Sequence, residues 1–117
     1  MDPSALLPLK PVDFLILLML ARADRHGYGI MQDVADFTGG DIQLEAGSLY
    51  RTIRRLQDER LVEESARRPA ADLDDERRRY YRLTPLGRRV VAAEATRLRQ
   101  LVRLAEITRV LAPEPGR

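Results

Sequence analysis

The sequence predicts an α+β chain, mostly α, arranged as a helix-turn-helix, a two-stranded wing and one long C-terminal helix. Three observations carry that expectation. Apolar residues recur at helical spacing in two segments on either side of Gly39-Gly40, two short β-rich runs flank a polar loop, and Thr84-Pro85 opens an unbroken amphipathic stretch.

In order along the chain, residues 1–10 carry Pro3 and Pro8 and are expected as a flexible, frayed arm. Pro11 suits the first turn of a helix, and Val12, Phe14, Leu15, Ile16, Leu17, Leu18 and Leu20 make that helix apolar nearly all round, so it needs partners on more than one side. Residues 22–29 (RADRHGYG) are expected as a break. Ile30, Met31, Val34 and Ala35 then restore helical spacing until Gly39 and Gly40 end it.

The next helix, expected from Gly47 to Arg60, has two faces. Leu49, Ile53, Leu56 and the stem of Arg60 fall on one stripe that must be buried, while Gly47, Arg51, Arg54, Arg55 and Asp58 point the other way. An anchored helix with an outward arginine face suits the major groove of DNA, and it equally suits a solvated surface. Leu61 to Ser65 reads as a strand, residues 67–77 as a polar loop, and Arg78 to Leu83 as the returning strand with Tyr81 and Leu83 facing the core. Thr84 is an N-cap with Pro85 at the first helical position, and the apolar repeat then runs to Ala112. Residues 85–112 as a helix would span roughly 40 Å, more than a small domain covers, so a second chain is expected on it. The chain thus divides into an arm (1–10), a DNA-binding unit (11–84), a dimerisation helix (85–112) and a disordered tail (113–117).

Composition narrows the chemistry. With 117 residues the chain fits one domain, and with no cysteine and a single histidine it lacks the makings of a thiolate zinc site, a disulfide scaffold or a catalytic triad. An enzyme is not expected, and neither a metal nor another cofactor. No stretch is long and apolar enough to span a membrane, and a soluble cytoplasmic protein is expected. Net charge is only +2, yet residues 1–50 hold three basic and seven acidic side chains against seventeen and eleven in residues 51–117. Nineteen of the twenty basic residues are arginine, which fits phosphate and guanine recognition and also fits a GC-rich genome.

Three blocks, HGYGI (26–30), GSLYRTIRRLQDERLV (47–62) and RRYYRLTPLG (78–87), occur in this order, and with them the chain resembles the PadR-like family of bacterial winged-helix transcriptional regulators. The resemblance covers about residues 11–111 and, with one helix after the wing, is similar to the shorter subclass. It implies a homodimer on a pseudo-palindromic operator, usually a repressor, released by a small molecule or by stress. The alternative is a winged helix whose arginine face binds an acidic protein partner.

For DNA contact the candidates are Ser48 and Tyr50 near a helix N-terminus, Arg51, Arg54 and Arg55 along its face, and the wing shoulders Arg67, Arg68 and Arg77. Tyr50 is expected outward, with flank packing as the alternative, and Arg51 or Arg54 can take guanine or phosphate. The acidic wing tip (Asp72, Asp74, Asp75, Glu76) opposes phosphate and is expected to stay clear. His26, Tyr28 and Gly29 are expected to be architectural. Dimer contacts are expected from Phe14, Leu17, Leu18, Val91, Leu98, Leu101, Val102 and Ala105. An effector pocket, if the chain has one, would use several of the same residues; relatives that bind planar apolar compounds use tryptophan, which this chain lacks.

Overall fold

A computed structural model describes residues 2–66 and 79–115; the wing loop with Arg67, Arg68, Arg77 and its acidic tip lies outside them. Helix α1 (Pro11–Arg22) starts on its proline. It is followed by a two-residue strand β1 (Arg25–His26), α2 (Gly27–Phe37), α3 (Ala46–Asp58), β2 (Val62–Glu64), β3 (Tyr80–Leu83) and α4 (Pro85–Ile107). The wing strands pair antiparallel, with Val62 opposite Leu83 and Glu64 opposite Tyr81. The expected two-stranded sheet has a third member: β1 pairs with the other edge of β3, giving the order β1-β3-β2. Two residues between a helix end and a glycine carry no alternation by which a strand could be read.

The core is one cluster. Ile16, Leu17 and Leu20 of α1 meet Ile30 and Val34 of α2, Leu49, Ile53 and Leu56 of α3, Tyr81 and Leu83 of β3, and Val90 and Val91 of α4. Thr84 caps α4 by accepting from the Gly87 N–H at 2.9 Å, as its sequence position predicts. Gly87 lies so close to the Leu61 carbonyl that any Cβ there would collide with it, and the Thr84 N–H donates to that same carbonyl at 3.0 Å. The start of α4 is thereby fixed to the turn leaving α3.

Three expectations change here. Residues 3–9, expected as a frayed arm, form a 3-10 turn (Pro3–Leu6) with Leu6, Leu7 and Leu9 packed on the core. The Leu9 N–H donates at 2.8 Å to the buried Glu94 carboxylate of α4, a partner 85 residues away that no local pattern announces. Arg60 does not continue the buried stripe of α3: the helix ends at Asp58, and Arg60 is exposed with φ 63°, a left-handed position usually given to glycine. Helix α4 stops at Ile107, short of Ala112, with Arg109 at φ 65°.

Candidate nucleic-acid interface

Helix α3 is positioned by its neighbours on every side but one. Leu49, Ile53 and Leu56 are buried, each with no more than 1% of its surface exposed, which fixes the helix axially and rotationally. His26 caps α2 by accepting from the Gly29 N–H on Nδ1 at 2.9 Å, and its ring meets the edge of Tyr80 at 5.3 Å. The architectural role expected for His26 and Gly29 is what the geometry gives, whereas Tyr28 of the same block is 54% exposed. The Tyr50 ring lies against Gly27, so that a side chain there would have to displace the tyrosine's hydroxyl end. Tyr50 is therefore half-buried between α2 and α3, packing along the helix flank, where the sequence placed it outward.

Arg55 also differs from expectation. Its guanidinium donates to both oxygens of Asp13, at 2.8 and 2.9 Å, and lies 3.4 Å from Glu59, tying α3 to α1 across 42 residues of sequence. Both bonds come from Nη2, and since Asp13 is 5% exposed this pair satisfies an otherwise buried charge. Arg55 is a structural clamp, occupied by carboxylates.

Ser48, Arg51 and Arg54 remain exposed on the outward face. Among the described residues neither Arg51 nor Arg54 forms an ion pair, in contrast to Arg25 on Asp33 (2.9 Å), Arg82 on Glu63 (2.9 Å) and Arg55 on Asp13. No side chain caps α3, so the N–H groups of its first turn are left for solvent or an anion. Beside this face a cleft of about 280 Å³ runs to the sheet, lined by Tyr50, Arg54, Gln57, Glu64, Arg79 and Tyr81. The described residues hold no cluster of metal-ligating side chains.

The expected dimer residues separate into two groups. Leu17 and Val91 are buried inside the subunit core and are not free to meet a partner; Phe14, Leu18, Leu98 and Ala105 are half-buried. Leu101 (49% exposed) and Val102 (48%) are open, as are Leu104 (54%) and Ile107 (71%), two residues not among those expected. Leu104 lies three residues beyond Leu101 and Ile107 three beyond Leu104, and that spacing is the signal that could have found them.

Glu94, buried in the first half of α4, is held below the usual carboxylate range by the Arg97 guanidinium, against the opposing effect of burial, with the Leu9 N–H adding to the depression. Arg97 is correspondingly raised by Glu94. No helix among the described residues is long and apolar enough to cross a membrane.

A helix-turn-helix with a small sheet beside its second helix defines a winged-helix protein. The family model for the transcriptional regulator PadR-like family matches residues 16–93, and the chain belongs to that family. It is 32% identical over 78 residues to an uncharacterised protein of Lysinibacillus sphaericus, covering 66% of this chain and 68% of that one. Among solved structures it is similar in fold to a PadR family regulator of Clostridium difficile (TM-score 0.70, 22% identity, 85% of this chain and 98% of that one). It is also similar to Bacillus subtilis PadR solved in complex with operator DNA (TM-score 0.61, 19% identity, 72% of this chain and 46% of that one). The protein is a PadR-like transcriptional regulator, in a family of regulators and not of enzymes.

Proposed function

We propose that this regulator is a repressor that binds a pseudo-palindromic operator as a homodimer, laying the outward face of α3 in the major groove. The observation that carries the reading is the contrast among its arginines: Arg51 and Arg54 are exposed without a carboxylate partner among the described residues, on a helix whose opposite face is fully buried. Phosphate and guanine are the ligands such forks fit best. That Bacillus subtilis PadR has been solved on operator DNA supports the same use of the fold. Ser48 and the first turn of α3 meet phosphate, and Tyr50 braces the helix from its flank. Arg67, Arg68 and Arg77, which lie outside the described residues, are proposed as further DNA contacts on their charge alone. The exposed stripe of Leu101, Val102, Leu104 and Ile107 meets the second copy, with Leu98 and Ala105 at its border. A small molecule or stress signal releases the operator.

Fluorescence anisotropy with a duplex carrying an inverted repeat selected from the DNA upstream of its own gene and with a scrambled duplex, each at two salt concentrations, tests this. Arg51→Ala or Arg54→Ala should weaken binding by about 1–3 kcal/mol for each base contact and relax sequence preference. If both variants remain folded and bind as the parent does, α3 is not the recognition helix. Tight binding to an acidic protein with none to either duplex would instead make it a protein-interaction module.

A further inference from the structure

A second feature of the same surface lies at the junction of the arm with α1. Lys10 is the chain's one lysine. With Pro11, Val12 and Asp13 it forms one wall of an open groove of about 680 Å³, whose other wall is Ser48, Arg51, Thr52 and Arg55 of α3. The groove thus runs along the outward face of α3 itself. Three cations line it against one carboxylate, and that carboxylate, Asp13, is paired with Arg55, whose Nη2 donates to both its oxygens. What remains for an incoming ligand is the positive charge of Lys10 and Arg51 and the hydroxyls of Ser48 and Thr52.

Lys10 is also held in place. The residue before it is tied to α4 by the Leu9 N–H to Glu94, and its own carbonyl accepts the Phe14 N–H at 3.0 Å as α1 begins. Its backbone needs no ordering on binding, which removes an entropic penalty that a lysine on a free arm would incur. An exposed ammonium on a fixed stalk, beside an arginine that faces DNA, is the arrangement of a backbone anchor: phosphate contacts set register and orientation without reading sequence.

We propose that Lys10 and Arg51, with Ser48, form a docking groove for the DNA phosphate backbone, and that the arm is strapped to α4 so that Lys10 stands at its edge. This rests on the proposal that α3 lies on DNA. Its ligand is the sugar-phosphate strand of a duplex, and its effect is independent of sequence.

The test uses the full chain and a mixed-sequence 30-base-pair duplex. Lys10→Gln should weaken binding to that duplex and to the upstream inverted repeat alike, about fivefold at 0.15 M salt, and lower the slope of log affinity against log salt by about 0.9 for each copy, about 1.8 for a bound dimer, as expected when one phosphate per copy is no longer neutralised. Lys10→Arg should bind as the parent does. Because Lys10 carries the chain's one side-chain amine, acylation by a succinimidyl ester followed by peptide mass mapping gives a second readout: the duplex should slow modification of the Lys10 peptide. Unchanged affinity and salt slope in a folded Lys10→Gln protein, or equal acylation with and without duplex, overturns the groove. If Arg54→Ala still weakens binding in that case, the placement of α3 survives; if Arg51→Ala, Arg54→Ala and Lys10→Gln all bind as the parent does, the placement of α3 fails with it.

Discussion

Helices α3 and α4 both carry leucine, isoleucine or valine at helical spacing, yet they stand in opposite relations to the rest of the chain. In α3 every apolar side chain that could seek a partner has one: Leu49, Ile53 and Leu56 are buried, and the remainder of the surface is polar with arginines facing out. In α4 only the first half is so treated. Gly87, Val90, Val91 and Glu94 are buried, while Leu101, Val102, Leu104 and Ile107 lie open beyond them. A helix whose hydrophobic need is met internally has its other face available for a polar ligand. A helix whose need is met over half its length leaves apolar side chains in water, which is unfavourable by roughly 25 cal/mol for each Å² left uncovered, and this is the surface on which the proposed dimer rests.

The sharpest way to break this contrast is to truncate one apolar residue on each helix. Ile53→Ala should lower unfolding stability by about 2–5 kcal/mol, because it opens a cavity among fixed neighbours. Ile107→Ala should change the stability of a dilute subunit by no more than about 0.5 kcal/mol and should show its effect in self-association. Urea unfolding at two protein concentrations measures both. Equal losses on the two helices would mean that the end of α4 is part of the subunit core.

Glu94 marks the boundary between the two halves of α4, and its charge gives a pH test. Its folded value lies below the ordinary 4.5, held there chiefly by Arg97, so its contribution to stability is complete above that value and is lost as pH falls through the depressed one. Glu94→Gln should therefore be less stable than the parent at pH 7, and the difference should narrow as the solution is acidified below the ordinary carboxylate value. Thermal unfolding across that range checks it. Parallel profiles for the two proteins would remove the Arg97 and Leu9 contacts as the cause.

The smallest effect is expected at the end of α3. Arg60 occupies a left-handed position where the Leu61 N–H closes on the Leu56 carbonyl at 2.9 Å, so Arg60→Gly should stabilise the fold by up to about 1 kcal/mol without altering DNA affinity. A fall in stability, read from the same urea titration, would contradict that reading of the helix end.

These sites also show which parts of the molecule were legible in the chain. The two faces of α3, the inward pair Tyr81 and Leu83 and the Thr84-Pro85 start of α4 were readable because each rests on local periodicity or capping. Arg55 and Glu94 were not, because their contacts depend on partners distant in sequence: Asp13 for Arg55 and Leu9 for Glu94. Leu17 and Val91 were misplaced for a related reason. An all-round apolar helix shows that it has several partners, but only the assembled core decides which of its faces are filled from within the chain. The arm, read from its prolines, was in fact governed by Leu6, Leu7 and Leu9.

The most direct test of a polar face on α3 joined to an unpartnered stripe on α4 is sedimentation equilibrium of the chain with its upstream inverted repeat. Two chains per duplex are expected for the parent. Leu101→Asp/Leu104→Asp should sediment as a folded monomer of 13.4 kDa in the absence of DNA, and Arg51→Ala/Arg54→Ala as a dimer that leaves the duplex free. One chain per duplex for the parent, or an intact dimer when both leucines of α4 carry a charge, would contradict the division of labour between the two helices.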